Sequence, residues 1–246
     1  MTTIDEWAAR WAAGQTGFHE AAPNELLLRH GAALLAAAGS IALPRRARVL
    51  VPLCGKAHDL LWLARRDVDV LGVEGVEQAC RAFFEDHGAT PSSTLLGAGH
   101  VFNAVGADPA LAAVSLLCAD FFTLGASTAI ASPLAPLSAR FDAAYDRAAL
   151  VAIPPARREA YVDVLGALLG PGAPLLLVSF EYDQSRVDGP PWSLSANQLR
   201  QLFASSFELS HLETRAVPVR NARLATAGVS AMSESCYLLR RRGPRV

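Results

Sequence analysis

Two short apolar runs, each closing on a tight turn and followed by a helical pattern, constrain this chain most. The first is Val49-Leu50-Val51-Pro52-Leu53-Cys54-Gly55-Lys56 and the second is Val70-Leu71-Gly72-Val73-Glu74. Short Val- and Leu-rich runs bounded by turn residues read as strands buried on both faces, the kind that parallel sheets use. Such a sheet binds ligands at the carboxyl ends of its strands. The first turn can bring backbone N–H groups close to a ligand. Glu74 closes the second strand roughly twenty residues further on, where ribose-binding acids sit in nucleoside folds. An acid there can accept hydrogen bonds from both vicinal hydroxyls of a ribose. The alternative for Glu74 is an exposed acid that happens to follow a strand.

The rest of the chain repeats the alternation. A helical cover is expected over residues 1–40, with a first helix at 4–13 and a second at 24–38 ended by Gly39. Trp7 and Trp11 are four apart and share one face of the first helix. The sheet core is expected over 48–240. Its strands fall at 48–53, 68–73, 114–118, 141–145 and 175–180, and its helices at 57–65, 76–87, 156–169 and 195–203. Two last strands, 207–217 and 234–240, should pair antiparallel. Residues 89–113 read as irregular with a short hairpin near 95–101, and residues 125–140 as a proline-marked loop. The whole chain, 1–246, reads as one domain. Its fold class is α/β, a doubly wound, Rossmann-like sheet, mostly parallel, with an antiparallel C-terminal end.

Composition removes several function classes. The net charge is −1 with no long run of one sign, so nothing favours the phosphate neutralisation on which nucleic-acid affinity rests. No apolar stretch reaches membrane-spanning length, and the first ten residues lack the basic and apolar regions of a signal peptide. A cytoplasmic protein is expected. Cys54, Cys80, Cys118 and Cys236 form no CxxC pair and read as reduced, mostly buried thiols. The six histidines show no HxxxH spacing, so no metal site is expected. Lys56 is the only lysine among 22 basic residues. It marks either a site where arginine does not fit or a chance survivor.

The motifs narrow the ligand. The turn after the first strand is neither GxGxxG nor GxxxxGK[ST], so pyrophosphate and triphosphate lack their usual cradles. A sulfonium nucleoside carries no phosphate and needs neither. Asp120 could accept a hydrogen bond from an adenine amino group, with Phe121 on the ring face; the alternative is a capping Asp beside a core Phe. Arg147, in Tyr145-Asp146-Arg147-Ala148-Ala149-Leu150, places a cation at the ligand edge, unless it is merely a solvated arginine. Trp192, after Gly189-Pro190-Pro191, reads as one wall of an apolar pocket or as a surface turn.

These segments together resemble the thiopurine S-methyltransferase family. The likeness is carried by Trp7-x-x-x-Trp11 with Gly14-Gln15-Thr16-Gly17-Phe18-His19, by Val51-Pro52-Leu53-Cys54-Gly55-Lys56, and by Gly72-Val73-Glu74. It continues through Cys118-Ala119-Asp120-Phe121-Phe122, Tyr145-Asp146-Arg147-Ala148-Ala149-Leu150, and Tyr182-Asp183-Gln184-Ser185 with Gly189-Pro190-Pro191. The order and spacing span nearly the whole chain, and the PLCGK turn is specific to the family. The antiparallel ending also fits class I S-adenosylmethionine-dependent methyltransferases. The resemblance implies S-adenosylmethionine as cofactor, with contacts at Trp11, Leu53, Gly55, Glu74 and Arg147 and with Asp120 and Phe121 flanking the adenine. It implies substrate contacts at Phe18, Arg147 and Arg223, and Arg147 as the residue that tunes the nucleophile. Trp192 stands where a Phe is commoner, and residues 89–113 and 123–140 match poorly; these departures bear on the substrate.

The implied reaction moves a methyl group to the sulfur of an aromatic or heterocyclic thiol, with selenium and tellurium species as further acceptors. The partner is then a small molecule, with no nucleic acid or membrane, and the protein a monomer. Two other readings compete: a non-catalytic nucleoside-binding sensor and a nicotinamide-dependent oxidoreductase. The missing GxGxxG argues against the second.

Overall fold

A computed structural model of the chain describes residues 3–39, 45–97, 99–105, 108–125 and 140–243. Most of the expected 125–140 loop, at 126–139, lies outside the described residues. The cover is α1 (Ile4–Ala12) and α2 (Glu25–Gly39). The core begins with β1 (Ala47–Pro52), α3 (Asp59–Ala64), β2 (Val68–Glu74), α4 (Glu77–Asp86), β3 (Thr90–Leu96) and β4 (Gly99–Val105). It continues with α5 (Pro109–Ala112), β5 (Val114–Cys118), β6 (Ala143–Arg147), α6 (Arg158–Leu168) and β7 (Pro174–Tyr182). It ends with α7 (Ala196–Phe203), β8 (Phe207–Val217), α8 (Ala222–Thr226) and β9 (Met232–Arg241).

Nine strands form one sheet in the order β3-β4-β5-β2-β1-β6-β7-β9-β8. β5, β2, β1, β6 and β7 run parallel. β9 pairs antiparallel with both β7 and β8. This is the doubly wound sheet with the antiparallel end expected from the sequence. β1 has β2 on one side and β6 on the other, so the strand order switches direction at β1. The carboxyl ends of β1, β2, β5 and β6 share one edge, where such a switch opens a crevice.

Alternation along each strand divides the core between the two faces of the sheet. Val49, Val51, Val70, Leu116, Tyr145 and Leu176 share one cluster with Leu27, Leu34, Leu60, Phe83 and Phe84 of α2, α3 and α4. Leu50, Leu71, Ala144, Leu175 and Leu177 share the other with Tyr161, Leu165 and Phe203 of α6 and α7. Each fully buried side chain of this kind contributes about 1.5–3 kcal/mol. Gly72 lets the layers close: a Cβ there would lie 2.5 Å from Leu116 Cδ2 and 2.6 Å from Cys54 Sγ.

The helix starts follow local chemistry. The Thr3 hydroxyl and the Glu6 carboxylate form a reciprocal capping box ahead of α1. Asn24 Oδ1 accepts from Leu26 N at 2.9 Å at the head of α2. Ser195 and Gln198 repeat the box at α7.

Three expectations need correction. Residues 90–105 are a full antiparallel hairpin that extends the sheet edge, paired from Thr90↔Val105 to Leu96↔Gly99. The fourth parallel strand covers Ala143–Arg147 and not 141–145, because Phe141 makes only an isolated bridge to Leu169. Asp142 meanwhile accepts from Arg45 and from the Arg48 backbone. Arg147 therefore ends a strand and does not follow one. The short helices α5 and α8 have no counterpart in the sequence reading.

Candidate cofactor and substrate site

The turn after β1 is held in a conformation most side chains avoid. Leu53 has φ 45° and Gly55 φ 52°, both in the left-handed region. Glu74 ties this turn to the next: Oε2 accepts from Gly55 N at 2.8 Å and Oε1 from Val76 N at 2.9 Å. The carboxylate is buried; burial pushes its pKa up, and the backbone N–H groups oppose the rise. A carboxylate has about four acceptor positions; the backbone takes at least two of them here, and the rest are places for hydroxyl donors.

The cover lies against this turn. Trp11 is buried with Val76 and Ala79, and a Cβ on Gly55 would come within 3.4 Å of its ring. Phe18 meets Trp7 edge-on at 5.4 Å and Trp11 at 5.6 Å. The Phe18 carbonyl accepts from Arg147 Nη1 at 2.9 Å, and Glu20 Oε1 lies 2.7 Å from Arg147 Nη2. Arg147 Nε is buried and finds no hydrogen-bond partner among the described residues. Trp11, Phe18, Gly55, Glu74 and Arg147 are thus linked into one assembly at the carboxyl ends of β1, β2 and β6.

Asp120 and Phe121 sit beside it, since Ala119 N donates to Glu74 O at 3.0 Å. Asp120 Oδ1 accepts from Phe122 N at 2.9 Å and caps the short turn that follows. Phe121 is buried and packs on Tyr161 at 5.1 Å, so it serves the core as well as this edge. Trp192 and Arg223 meet at Gly189. A Cβ there would strike the Trp192 ring at 2.4 Å, and Arg223 Nη1 approaches the Gly189 carbonyl at 3.4 Å. Trp192 N donates to Val151 O at 2.6 Å, which fastens this loop to the turn that follows Arg147.

Several supporting residues were not among the predicted site residues. Asp146 is fully buried; it accepts from Tyr161 Oη at 2.7 Å and Leu150 N at 3.2 Å, and burial pushes its carboxyl up to about 6. It shapes the turn beyond Arg147, where Ala148 takes φ 67°. On the other side Asp59 Oδ1 accepts from Asn24 N at 2.8 Å, and burial raises its carboxyl to about 6. Asn24 Nδ2 reaches Glu20 Oε2 at 3.3 Å and Glu234 Oε1 at 3.2 Å. An Asn just before a leucine-rich run and an Asp within one were the available signals.

Lys56 does not join the assembly through its charge; its Nζ pairs with Asp86 at 2.7 Å. The four cysteines are free thiols. No group of three or more His, Cys, Asp or Glu among the described residues is arranged to hold a metal ion. No helix among them is long and apolar enough to cross a membrane.

The site fits the nucleoside that the resemblance implies. It offers a buried acid with acceptor capacity to spare, a glycine turn approached by an indole, and a part-buried guanidinium whose buried Nε has no partner among the described residues. Comparison with known proteins bears on the family. The family model described as thiopurine S-methyltransferase matches residues 2–242. A thiopurine S-methyltransferase of Pseudomonas fluorescens SBW25 is 39% identical over 233 residues, covering 95% of this chain and 96% of that protein. One of Azotobacter vinelandii DJ is 37% identical over 238 residues, covering 97% and 99%. Among solved structures, the Burkholderia thailandensis 1,6-didemethyltoxoflavin-N1-methyltransferase, with S-adenosylhomocysteine bound, superposes with TM-score 0.52 at 18% identity over 98% of this chain and 87% of that one. A Methanosarcina mazei S-adenosylmethionine-dependent methyltransferase gives 0.55 at 16% over 82% and 95%. These two likenesses concern the fold.

Proposed function

The chain belongs to the thiopurine S-methyltransferase family and is an S-adenosylmethionine-dependent methyltransferase, and from that premise we propose that its acceptor is the sulfur of an aromatic or heterocyclic thiol. Selenium and tellurium species are the further acceptors of the same soft kind. The observation that carries this reading is Arg147, a half-sequestered cation at the ligand edge with a buried donor to spare, flanked by the cover that holds Phe18.

When bound, S-adenosylmethionine supplies an electrophilic methyl group on a sulfonium centre. Glu74 receives the ribose hydroxyls, Leu53 and Gly55 present the turn, and Asp120 with Phe121 flanks the adenine. Trp11 closes over the turn and excludes water. Phe18 and Trp192 enclose a flat acceptor, with Arg223 at the rim. Arg147 favours the anionic form of the acceptor sulfur, because an opposite charge nearby lowers an acid's pKa. The acceptor's proton leaves to solvent, so no strong general base is required. Trp11, Phe18 and Trp192 would shield the acceptor sulfur anion from water and so leave its charge weakly solvated. Positioning in a water-poor site then supplies most of the rate. The same reading has the enzyme act as a cytoplasmic monomer on small molecules.

A methyl-transfer screen over aromatic thiols, selenols and tellurite, read by mass spectrometry, tests the proposal. Transfer to thiols and selenols is expected. Transfer only to nitrogen, oxygen or carbon acceptors included as controls would overturn it.

A further inference from the structure

The cover brings more than aromatic rings to the ligand edge. It also brings a carboxylate to the cation on which the proposed chemistry depends. Both terminal nitrogens of Arg147 are engaged by the segment Phe18–Glu20, one by the Phe18 carbonyl at 2.9 Å and one by Glu20 Oε1 at 2.7 Å. The Arg147 side chain is 12% exposed and the Glu20 side chain 34%, so the contact is partly shielded from water and salt. Glu20 is not a loose surface acid. Its second oxygen accepts from Asn24 Nδ2 at 3.3 Å, and Asn24 is fixed by Asp59, Glu234 and the start of α2.

A sulfur anion approaching Arg147 therefore meets a guanidinium whose charge is already countered. We propose that Glu20 is a positioning residue that competes with the acceptor sulfur for Arg147 and so sets how acidic a thiol must be before it is methylated. Heteroaromatic thiols and selenols, acidic by themselves, tolerate that competition. Weakly acidic thiols do not, and an acceptor with a carboxylate near its sulfur meets a second repulsion. The proposal rests on the thiol reading above.

Other charged groups face the pair, and the test must separate them. Asp59 of α3 feels the charges of both and has its carboxyl raised to about 6 by burial. The Tyr145 phenol of β6 is held protonated by burial and by Asp59. His19 of the cover has its pKa lowered by burial, then by Lys56 and His58. Glu234 of β9 is paired with Arg215, whose Nη2 lies 2.6 Å away. Asp59 titrates nearest the assay range, so the comparison is repeated with Asp59→Asn.

Methyl transfer is followed against pH at saturating S-adenosylmethionine, over aromatic thiols of graded acidity, for wild type, Glu20→Gln and the Asp59→Asn pair of each. In Glu20→Gln the acidic limb should move down by ~0.5–1 pH unit, the effect of removing one nearby like charge. The gain at low pH should be largest, about 3–10-fold, for the least acidic thiol. KM for a carboxylate-bearing thiol should fall while cofactor affinity, measured by calorimetry, holds within about twofold. If Glu20→Gln fails to fold, Glu20→Asp keeps the charge but withdraws it by one methylene, and the limb should move the same way by less. An unmoved limb in a folded variant, or an equal loss for every thiol at every pH, would mean that Glu20 only fastens the cover and would overturn the proposal alone. No transfer to any thiol by wild type would remove the thiol reading along with it.

Discussion

Glu74 is asked to serve the fold and the ligand with the same two oxygens. Its bonds to Gly55 N and Val76 N join the turns after β1 and β2, and the ribose would take the remaining lone pairs. Glu74→Ala should weaken S-adenosylmethionine binding by roughly 2–3 kcal/mol, the usual loss for charge-assisted hydrogen bonds. Calorimetry checks this, and an unchanged affinity would remove Glu74 from the ribose site. The acid was legible in the sequence because it ends an apolar run at a set distance from a glycine turn. Arg147 was legible because a cation at a strand end is costly without a purpose. Asn24 and Asp59 were not, since the ties of Asn24 to Asp59 and Glu234 join positions 35 and 210 residues apart in the chain, and Glu20 was not, since its ion pair is with Arg147 at the end of a strand far along the chain.

At the scale of elements, β6 and α3 each carry a buried carboxyl, Asp146 and Asp59, both raised to about 6. A carboxyl that ionises later in the folded chain than in the unfolded one holds extra protons in the folded state. Its stability contribution is then complete below about pH 4 and is lost as pH rises through about 6. The loss is roughly 2–3 kcal/mol per group. Asp59→Asn keeps an acceptor for Asn24 N and removes this titration. Urea unfolding at pH 4, 5, 6 and 7 should show the variant gaining on wild type as pH rises; parallel curves would show that Asp59 ionises normally. Taking the difference cancels His19 and His58, whose lowered values act in the opposite sense. The elements themselves were readable where strands are buried. β1, β2, β5 and β7 are nearly unbroken apolar runs with one answer. β3 is exposed along most of its length, and its Thr90-Pro91-Ser92-Ser93-Thr94 stretch reads as loop. Its pairing with β4 decides the structure there, and local composition does not record it.

Taken whole, the molecule is a sheet with α2 packed into its core, while the first segment of the cover, residues 4–20, reaches the predicted ligand edge through Trp11 on the Gly55 turn and through Phe18 and Glu20 on Arg147. Contacts gathered on the arginine expected to meet ligand suit a segment that orders with the ligand. Gly14, at φ 66°, supplies the turn between α1 and Phe18. Amide exchange over residues 7–19 should slow when S-adenosylhomocysteine is added, and equal exchange with and without it would rule out the cover as a lid. The central claim, that Arg147 favours the anionic form of an acceptor sulfur, is tested most directly by the pH dependence of methyl transfer. Wild type, Arg147→Lys and Arg147→Met are compared at saturating S-adenosylmethionine, with cofactor binding measured separately. Lysine keeps the charge but loses the planar fork, and methionine loses both. The account predicts rates falling in the order Arg, Lys, Met, with the deficit greatest at low pH and partly recovered at high pH, where the thiol ionises unaided. A loss equal at every pH for both variants would contradict it.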